Sequence, residues 1–459
     1  MDETEKRLIN FTNSITYDDL SPDVIKATKI RLIDSFGCAL GAINAPTAKA
    51  AENISALVKE GRSARIFGTL KRVSVEHATL VNSAMVRYLD LSDAYLMRST
   101  AHPSDNIPGI LAIGESINAS PQDILTAIII SYEVQIRLCD TAPFNAEGYD
   151  QPVCSASAMA LASAHLLNLN TEQMRHAVAI AATANIALNQ TRRGNLSMWK
   201  GMAGPNAARE GVFAALLAEH GMSGPEDPFE GLHGLYAKTV GTFDRIQIPS
   251  TFKQSTVFAL QKTNVKKFPV RDAIQVPIVA ALKLFKDINA SEIKNLKIYT
   301  YRHGFYKWID QDATWAPKTR ETADHSLPFC VAATLLDGTL NAMSFENSRY
   351  LRKDVRTLIS KTEIIFDDAF DEVAPETRSC RLEATLKTGE SFKAEYTQTP
   401  EDILRGPDVK CVETKFRTLT EGVIKKPQQD KILDALWNFE KLESIQSLIS
   451  LTRASFNSF

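Results

Sequence analysis

The chain lacks a strong net charge and has no long uninterrupted apolar run. Its 52 lysines and arginines nearly balance 54 aspartates and glutamates, so the formal net charge is −2. A chain this close to neutral has no basic field of the kind that attracts nucleic acid or an anionic membrane surface. The most apolar stretches, 125–130 and 177–188, fall short of the roughly 20 residues that a membrane span requires. We therefore expect no nucleic-acid partner and no membrane partner.

Cysteine pairs and an apolar leader are also missing. The six cysteines are scattered singly, with no C-x-x-C pair and no Cys/His cluster at the spacing of metal ligands. This pattern predicts buried, reduced thiols and no metal site. The first residues are charged and lack the apolar segment that a secretory signal needs. We expect a cytoplasmic protein.

Several motifs that announce particular chemistries do not occur. The sequence has no G-x-x-x-x-G-K-[ST] loop, no G-x-G-x-x-G after a strand, no H-E-x-x-H and no G-x-S-x-G. Their absence argues against phosphate transfer, nicotinamide chemistry, zinc hydrolysis and serine esterase activity.

What the sequence does contain is a long series of helical patterns. With 459 residues, 44% of them hydrophobic, the chain exceeds one ordinary domain of roughly 100–200 residues. Ser21-Pro22 and Ser120-Pro121 are typical helix starts, because a serine can cap the first amides while a proline occupies the first turn. Apolar residues recurring three and four apart predict further helices near 74–89, 107–117, 122–138, 154–167, 171–187 and 204–220.

The pattern changes after about residue 265. A helix near 273–286 is followed by alternation over 296–301, which indicates a strand, and 381–396 resembles a hairpin. Helical patterns resume at 408–420, 428–438 and 441–451. We predict a mainly α fold with an inserted α+β domain. A large all-helical domain would comprise 1–265, with the C-terminal helices of 403–459 returning to it, and a smaller α+β lid domain would comprise 266–402.

The densest polar cluster lies between two predicted helices. Asp90 and Asp93 end one helix, and His102, Ser104 and Asp105 precede the next. Free amides and the dipole of a helix N-terminus favour an anion there. Helix capping by Ser104 or Asp105, with His102 packed beside them, explains the same spacing equally well.

Three further positions could contribute charge. Lys200 lies in a Gly- and Met-rich loop and Lys266 at the suspected domain junction, so each could hold a substrate carboxylate, although a solvated lysine or a charged linker are the plain alternatives. His325 follows Asp324, and a carboxylate can orient an imidazole for proton transfer. Capping by Asp324 or Ser326 is the competing explanation.

Taken in order, these motifs resemble the signature of the MmgE/PrpD family, which includes 2-methylcitrate dehydratase, cis-aconitate decarboxylase and iminodisuccinate epimerase. The resemblance spans nearly the whole chain. It is carried by 31–37, the motif from Asp90 to Asn106, the Lys200 loop, 265–269 and 324–329. It implies a helical domain with a smaller α+β lid, an active site between them, a homodimer, and no metal or organic cofactor. It also implies that Asp90, His102, Lys200 and Lys266 line the pocket.

The chain departs from the decarboxylase pattern of this family at four positions. Ala94 stands where the decarboxylases carry threonine, and Gln151 and Gln275 stand where they carry histidine. Phe329 stands where they carry tyrosine. These replacements argue against decarboxylation of cis-aconitate and leave the exact substrate open.

Our functional hypothesis is a hydro-lyase that dehydrates 2-methylcitrate or a related small polycarboxylate by acid/base catalysis. His102 would transfer the proton, oriented by Asp90 or Asp93, with His325 as a second proton carrier or binding group. Lys200 and Lys266 would hold carboxylates. Iron–sulfur dehydration is disfavoured because the thiols are scattered. We include as substrate-binding residues Gln151, Ser104, Tyr95, Phe329 and Gln275. The rivals are a decarboxylase or epimerase of related acids, and an inactive homologue that binds a dicarboxylate or a partner protein.

Overall fold

Helices dominate the first half of the chain. The structure is a computed structural model that describes residues 1–56, 61–253 and 255–455. Within these residues, every helix is too short or too polar to cross a membrane. The longer helices of the first half are Glu3–Ser14, Pro22–Gly41, Pro46–Asn53, Val75–Tyr88, Ile107–Ile117, Pro121–Thr141, Ser155–Leu166, Thr171–Ala184 and Ala203–Glu219. The helices predicted from apolar periodicity are confirmed, with ends that differ by at most three residues.

Both predicted Ser-Pro helix starts are confirmed. The Ser21 hydroxyl accepts a hydrogen bond from the Val24 amide, and the Ser120 hydroxyl accepts one from Asp123. Each serine satisfies one of the amides that the first helical turn leaves without a backbone partner. The helices Pro22–Gly41 and Pro121–Thr141 therefore begin where the sequence indicates.

The C-terminal helices pack against the first-half helices. They comprise Val409–Thr420, Lys426–Trp437 and Ile445–Leu451. A side chain at Gly41 would come within 2.8 Å of the Leu419 carbonyl oxygen, so the small residue permits close approach of the two helices. Val412, Phe416 and Leu448 belong to the same hydrophobic core as the first-half helices.

A second hydrophobic core lies between two helices and a four-stranded sheet. The helices are Gln275–Leu284 and Leu327–Asp337, and a shorter helix, Lys353–Ile359, packs beside them. Its strands are β6 Ile293–Thr300, β7 Thr362–Phe366, β8 Arg378–Leu386 and β9 Ser391–Gln398. The strand order is β7-β6-β8-β9, with β6 and β7 parallel and the other neighbours antiparallel. The predicted strand and hairpin are confirmed, as β6 and as β8 with β9.

Two small sheets belong to the first half and its junction with the second. Their five short strands are β1 Ser63–Arg65, β2 Arg72–Ser74, β3 Asp93–Leu96, β4 Thr100–Ala101 and β5 Asn264–Val265. In one of these sheets β3 pairs with both β4 and β5, so Asp93 at the start of β3 lies opposite Val265 of the junction strand. These strands span two to four residues each, too few for a repeating pattern to reveal them.

The division into three segments at residues 266 and 403 remains our proposal. It is supported by the two cores, since one contains first-half and C-terminal residues and the other contains residues of 268–386 together with Leu96. The cysteines form no disulfide in the described chain, and five of them are buried as predicted. Cys411 is exposed, so the prediction of buried thiols is wrong for that residue. It lies on the outer side of an amphipathic helix.

Candidate active site

A cavity of about 390 Å³ opens where residues of both cores meet. Its wall includes three imidazoles, His102, His303 and His325, and the ring of Trp308. Among the described residues, more cationic than anionic side chains line it. The cations are Arg87, Arg98, Arg192, Arg193, Arg271 and Lys307, and the carboxylates are Asp90, Asp150 and Asp272. Such a wall suits a small molecule that carries several negative charges.

Asp90 lies at the centre of a buried charge cluster. It follows the helix Val75–Tyr88 with a left-handed backbone (φ 51°), which turns its side chain back toward Arg87 at 2.5 Å. The Lys266 ammonium donates to the same carboxylate oxygen at 2.6 Å and to the Asp90 carbonyl at 3.1 Å. Burial alone would raise the pKa of Asp90, but Arg87, Lys266 and Lys200 outweigh it and hold that pKa well below its usual range. Asp90 is therefore a fixed negative charge.

A second charge cluster joins Lys200 to the Asp324-His325 pair. The Lys200 ammonium donates to both Asp324 oxygens, at 2.6 and 2.7 Å, and lies 3.6 Å from Asp90. Burial lowers the pKa of Lys200 despite these carboxylates, whereas Lys200 and His325 hold the pKa of Asp324 below its usual value against the opposing effect of burial. Asp324 thus serves this cluster, and it is Ser326 that caps the following helix by accepting from the Phe329 amide.

The protonation state of His325 follows from its neighbours. Its Nδ1 lies 2.5 Å from an Asp324 oxygen, so we assign the proton to Nδ1 and leave Nε2 as the acceptor. Burial and the nearby Lys200 ammonium lower the pKa of His325 to about 3, against the opposing effect of Asp324. His325 is a neutral imidazole at physiological pH, and it packs against Trp308 with ring centroids 5.0 Å apart.

His102 is oriented in the same way by a backbone group. Its Nδ1 lies 2.9 Å from the Asp93 carbonyl oxygen, which can only accept, so Nδ1 donates and Nε2 remains available. Burial, with Arg87 and Lys266 nearby, lowers the pKa of His102 well below its usual value. His102 and His325 are therefore neutral imidazoles on the cavity wall, each with its Nδ1 engaged by an acceptor. The third imidazole of the wall, His303, has its Nε2 2.9 Å from the Met97 carbonyl oxygen.

Four of the residues predicted from sequence line this cavity: Asp90, His102, Gln151 and His325. The Gln151 side-chain oxygen accepts from the His102 amide at 3.2 Å, which links it to the imidazole loop. The proposed orientation of His102 by a carboxylate needs correction, because the Asp93 carbonyl holds the ring. The Asp93 carboxylate instead accepts from the Ser104 amide at 3.2 Å and lies 3.9 Å from Arg31.

Lys200 and Lys266 are not among the described residues of the cavity wall. Their ammonium groups lie behind Asp90, 2% and 1% exposed, and are engaged by Asp324 and Asp90. The structure thus brings both lysines to the charge clusters that the sequence motifs imply. It does not place them where they would hold a substrate carboxylate, because each ammonium is already neutralised by a protein carboxylate.

Four predicted substrate-binding residues are likewise absent from the described wall of the cavity. The Tyr95 hydroxyl donates to Asp140 at 2.8 Å, and the Ser104 side chain is buried. The Gln275 oxygen accepts from the Lys267 and Phe268 amides at 3.0 Å each, and its nitrogen donates to carbonyls of the same loop, so it fixes that loop. Phe329 packs against two other aromatic rings in the second core.

The loop before the helix Ile107–Ile117 does not use the predicted caps. Neither Ser104 nor Asp105 caps a helix in the described chain, since a short 3-10 turn, Pro103–Asn106, separates them from the helix. Asp105 instead lies 3.7 Å from Arg87, and burial raises the pKa of its carboxyl to about 7, with Arg87 opposing the rise. The capping alternative for this motif is therefore wrong.

Three side chains converge in a way that could suit a metal ion. Ligand atoms of Asp90, Asp324 and His325 all lie within 4.8 Å of one another. The Lys200 ammonium, however, lies 2.6 Å from Asp324, 3.6 Å from Asp90 and 3.4 Å from the His325 Nδ1. It already supplies a cation at their centre, and these residues do not fit a metal unless Lys200 moves away.

Sequence reasoning missed the arginines of the cavity wall. Arg87, Arg192 and Arg271 are far apart in sequence and come from a helix end, a loop and the domain junction. Arg271 stacks over Trp308 at 4.7 Å, and burial lowers the pKa of its guanidinium to about 10. One signal was present, because two adjacent arginines in a polar stretch that ends in glycine, 189–194, are unusual for a plain linker.

Protein-family models and curated relatives match nearly the whole chain. The model described as the MmgE/PrpD N-terminal domain matches residues 6–245, and that of the MmgE/PrpD C-terminal domain matches residues 268–441. The 2-methylcitrate dehydratase of Escherichia coli (strain K12) is 25% identical and covers 96% of each chain. That of Salmonella typhi is 27% identical over 90% of this chain and 89% of its own. The cis-aconitate decarboxylase of Homo sapiens is 25% identical over 95% and 91%.

Proposed function

The chain belongs to the MmgE/PrpD family, and from this premise we propose that it is a hydro-lyase that dehydrates 2-methylcitrate or a related alkylcitrate. The observation that carries the proposal is the pair of neutral imidazoles, His102 and His325, on a wall where cations outnumber carboxylates. A neutral imidazole can take a proton from carbon, and fixed cations stabilise the negative charge that this leaves on the substrate.

The dehydration starts with proton removal from the carbon next to a substrate carboxylate. The His102 Nε2 takes this proton, and the bonding electrons move toward the carboxylate, where the arginines of the cavity wall stabilise the enediolate-like charge. The electrons then form the C=C bond as the C–O bond breaks. The His102 imidazolium returns its proton to the departing hydroxide, and one water leaves. His325 is the binding group for the hydroxyl-bearing end.

The surroundings of His102 suit this double use. Burial and the nearby cations disfavour its charged form, so an imidazolium formed during the reaction is a strong acid. A bound polycarboxylate brings negative charge into the cavity and offsets part of that effect, which makes the imidazole a better base when substrate is present. Proton transfer of this kind contributes roughly 10²–10⁴-fold to the rate.

The decarboxylase alternative rests on the relatives named cis-aconitate decarboxylase. Against it stands Gln151, which lines the cavity where the decarboxylase pattern has a histidine, because a carboxamide cannot transfer a proton at neutral pH. Gln275 and Phe329, two of the other three replaced positions, are committed to a loop and to the second core. We therefore prefer dehydration. We further propose that the enzyme works in the cytoplasm, as a homodimer and without a cofactor.

The test is turnover of a defined panel. Purified protein is incubated with 2-methylcitrate, citrate, cis-aconitate and iminodisuccinate, and the ultraviolet absorbance of a new C=C bond is followed together with product identity. We expect a new double bond from 2-methylcitrate and a fall of roughly 10²–10⁴-fold in kcat for His102→Gln. His220→Gln, at an exposed position outside the cavity wall, is the matched control.

Other results would replace the proposal. Release of CO₂ from cis-aconitate would make the protein a decarboxylase. In a parallel incubation in deuterated water, deuterium uptake into the substrate without elimination would favour an epimerase. Thermal stabilisation by these acids without any turnover would identify an inactive homologue that binds them.

A further inference from the structure

Two loops of the first half are joined edge to edge beside the cavity. The Asp150 amide donates to the Ala187 carbonyl and the Asn189 amide to the Gly148 carbonyl, both at 2.8 Å. Tyr149 and Leu188 form a β-bridge between them. These bonds hold Gln151 from one loop and Arg192 from the other on the same wall of the cavity.

Only one of the three guanidinium nitrogens of Arg192 has a hydrogen-bond partner within the described chain. Its Nε donates to Asp150 Oδ1 at 2.9 Å, and the side chain is 9% exposed. Its Nη1 and Nη2 are buried and have no hydrogen-bond partner among the described residues. An arginine normally binds a carboxylate through two parallel N–H groups, so this one retains an unused bidentate face. Leaving a buried cationic donor unsatisfied costs free energy.

Gln151 adds a further unused donor. Its side-chain oxygen accepts from the His102 amide, but within the described chain its Nε2 is buried without a partner. Asp150 connects the two residues, because the oxygen that binds Arg192 also accepts from the Gln151 amide at 2.8 Å. The second Asp150 oxygen is also without a partner in the described chain. Arg192 and Gln151 both line the cavity, and each thus carries side-chain nitrogens that have no acceptor within the described chain.

We propose that Arg192 and Gln151 form a carboxylate subsite that makes the enzyme selective for tricarboxylates over dicarboxylates. The inference rests on the proposed function, since it assigns a recognition role within the same cavity. A planar carboxylate satisfies both unused Arg192 nitrogens, and the Gln151 amide donates to it from the side. Asp150 is a positioning residue that fixes the plane of the guanidinium. Because Gln151 also holds the His102 amide, the bound carboxylate is placed at a fixed distance from the proton-transferring imidazole.

The size of the effect follows from the chemistry of the pair. Hydrogen bonds between charged groups are worth more than neutral ones, and loss of one partner corresponds to roughly 10- to 100-fold in affinity. Lysine keeps the charge but not the planar pair of donors, so it should restore only part of this affinity. The selectivity should come from binding of the third carboxylate. Loss of the subsite should therefore leave the affinity for a dicarboxylate almost unchanged.

The experiment measures binding of two unreactive probes that differ by one carboxylate. Dissociation constants of tricarballylate and glutarate are determined by calorimetry for the wild-type full-length chain, Arg192→Gln, Arg192→Lys and Gln151→Glu. Arg405→Gln is the matched control, because this exposed arginine pairs with Asp402 on the surface. Circular dichroism melts check that every variant is folded.

We expect wild type to prefer tricarballylate. Arg192→Gln should lower the affinity for tricarballylate roughly 10- to 100-fold and change the affinity for glutarate less than about threefold. Arg192→Lys should bind tricarballylate with an affinity between those of wild type and Arg192→Gln. Gln151→Glu should weaken tricarballylate further, because it places a negative charge against the probe. Arg405→Gln should leave both constants unchanged.

The subsite is disproved if the folded Arg192→Gln variant loses affinity for both probes equally or for neither. Turnover separates this result from the fate of the proposed function. A wild type that dehydrates 2-methylcitrate but does not prefer tricarballylate overturns the subsite alone. An Arg192-dependent preference for tricarballylate in a protein that dehydrates neither 2-methylcitrate nor citrate overturns the dehydratase proposal and supports the subsite.

Discussion

His325 lies between an ammonium and a carboxylate, and its response to acid follows from that position. Its Nδ1 is 2.5 Å from Asp324 and 3.4 Å from the Lys200 ammonium, and its pKa is lowered to about 3. We predict that its imidazole signals in nuclear magnetic resonance stay those of a neutral ring from pH 8 to pH 5. Free histidine in the same buffer is the reference, and His325→Gln assigns the signal. Titration near pH 6.5 would contradict the structure.

The lowered pKa of His325 also makes the stability of the protein depend on pH. Between about pH 6.5 and pH 3 the unfolded chain binds a proton at His325 and the folded chain does not, so acidification favours unfolding. The lowered pKa of His102 acts in the same direction. Wild type should therefore lose Tm relative to His325→Gln as the pH falls through this window.

Glu5 gives the opposite case far from the cavity. Its side chain has no exposed surface, and neither carboxylate oxygen has a hydrogen-bond partner in the described chain. Burial, with Asp2 nearby, raises its pKa to about 7. The unfolded chain releases this proton above about pH 4.5, so the folded state loses stability as the pH rises toward 7.

Replacement of Glu5 by glutamine should therefore stabilise the protein only at higher pH. We predict that Glu5→Gln raises Tm by about 2–4 °C at pH 8 and gives no gain at pH 4.5. Differential scanning calorimetry at the two pH values measures it, with Glu147→Gln at an exposed loop position as control. An equal change at both pH values would exclude a titrating carboxyl as the cause.

At the scale of single elements, the contact between helices Ser155–Leu166 and Ala203–Glu219 depends on Gly211. A Cβ atom there would lie 2.5 Å from the Ala156 carbonyl oxygen and 2.6 Å from the Met159 Cβ. Both neighbours belong to the facing helix and cannot swing aside, so we predict that Gly211→Ala lowers stability by about 1–3 kcal/mol.

Urea unfolding measures the effect of Gly211→Ala. Gly201→Ala is the matched control, since nothing described lies within 4 Å of its added methyl group. Equal urea midpoints of unfolding for Gly211→Ala and Gly201→Ala would show that the two helices can move apart with little loss of stability.

The elements differ in how far sequence alone predicts them. Long helices such as Pro121–Thr141 repeat their apolar face over several turns and begin at a capping serine, so the pattern reveals both their existence and their start. Strand β7 was missed because none of its five residues is fully buried, so buried and exposed positions do not alternate along it. Its parallel pairing with β6 depends on residues about 65 positions apart, which no local pattern encodes.

The cavity shows the same limit. Asp90 and His102 were found because they stand close together in one polar loop, and His325 because a carboxylate precedes it. Arg87, Arg192 and Arg271 were missed because they lie far apart in sequence and come together only after the chain folds. The lysines were identified, but their ion pairs with Asp324 and Asp90 could not be foreseen.

At the scale of the whole molecule, charge is distributed unevenly. The chain has a formal net charge of −2, yet cations outnumber carboxylates on the cavity wall. Attraction of a polycarboxylate is therefore local and is screened by salt. We predict that raising ionic strength from about 0.01 to 0.5 M increases KM for 2-methylcitrate several-fold with little change in kcat, because the Debye length falls well below 10 Å.

Steady-state kinetics at constant pH measures this dependence. Sucrose of matched osmolality is the control for effects that do not depend on charge. A KM that is insensitive to salt would mean that the wall arginines contribute no net attraction to the substrate.

The cluster around Asp90 also bears on how the chain matures. Its members are Arg87 and Asp90 in the first half, Lys200 far downstream, Lys266 at the junction and Asp324 beyond it. No contiguous fragment shorter than about half the protein contains them all. A partly synthesised chain that ends before Asp324 would therefore leave Lys200 without its main carboxylate partner, so the proposed active site can form only after both cores have been made.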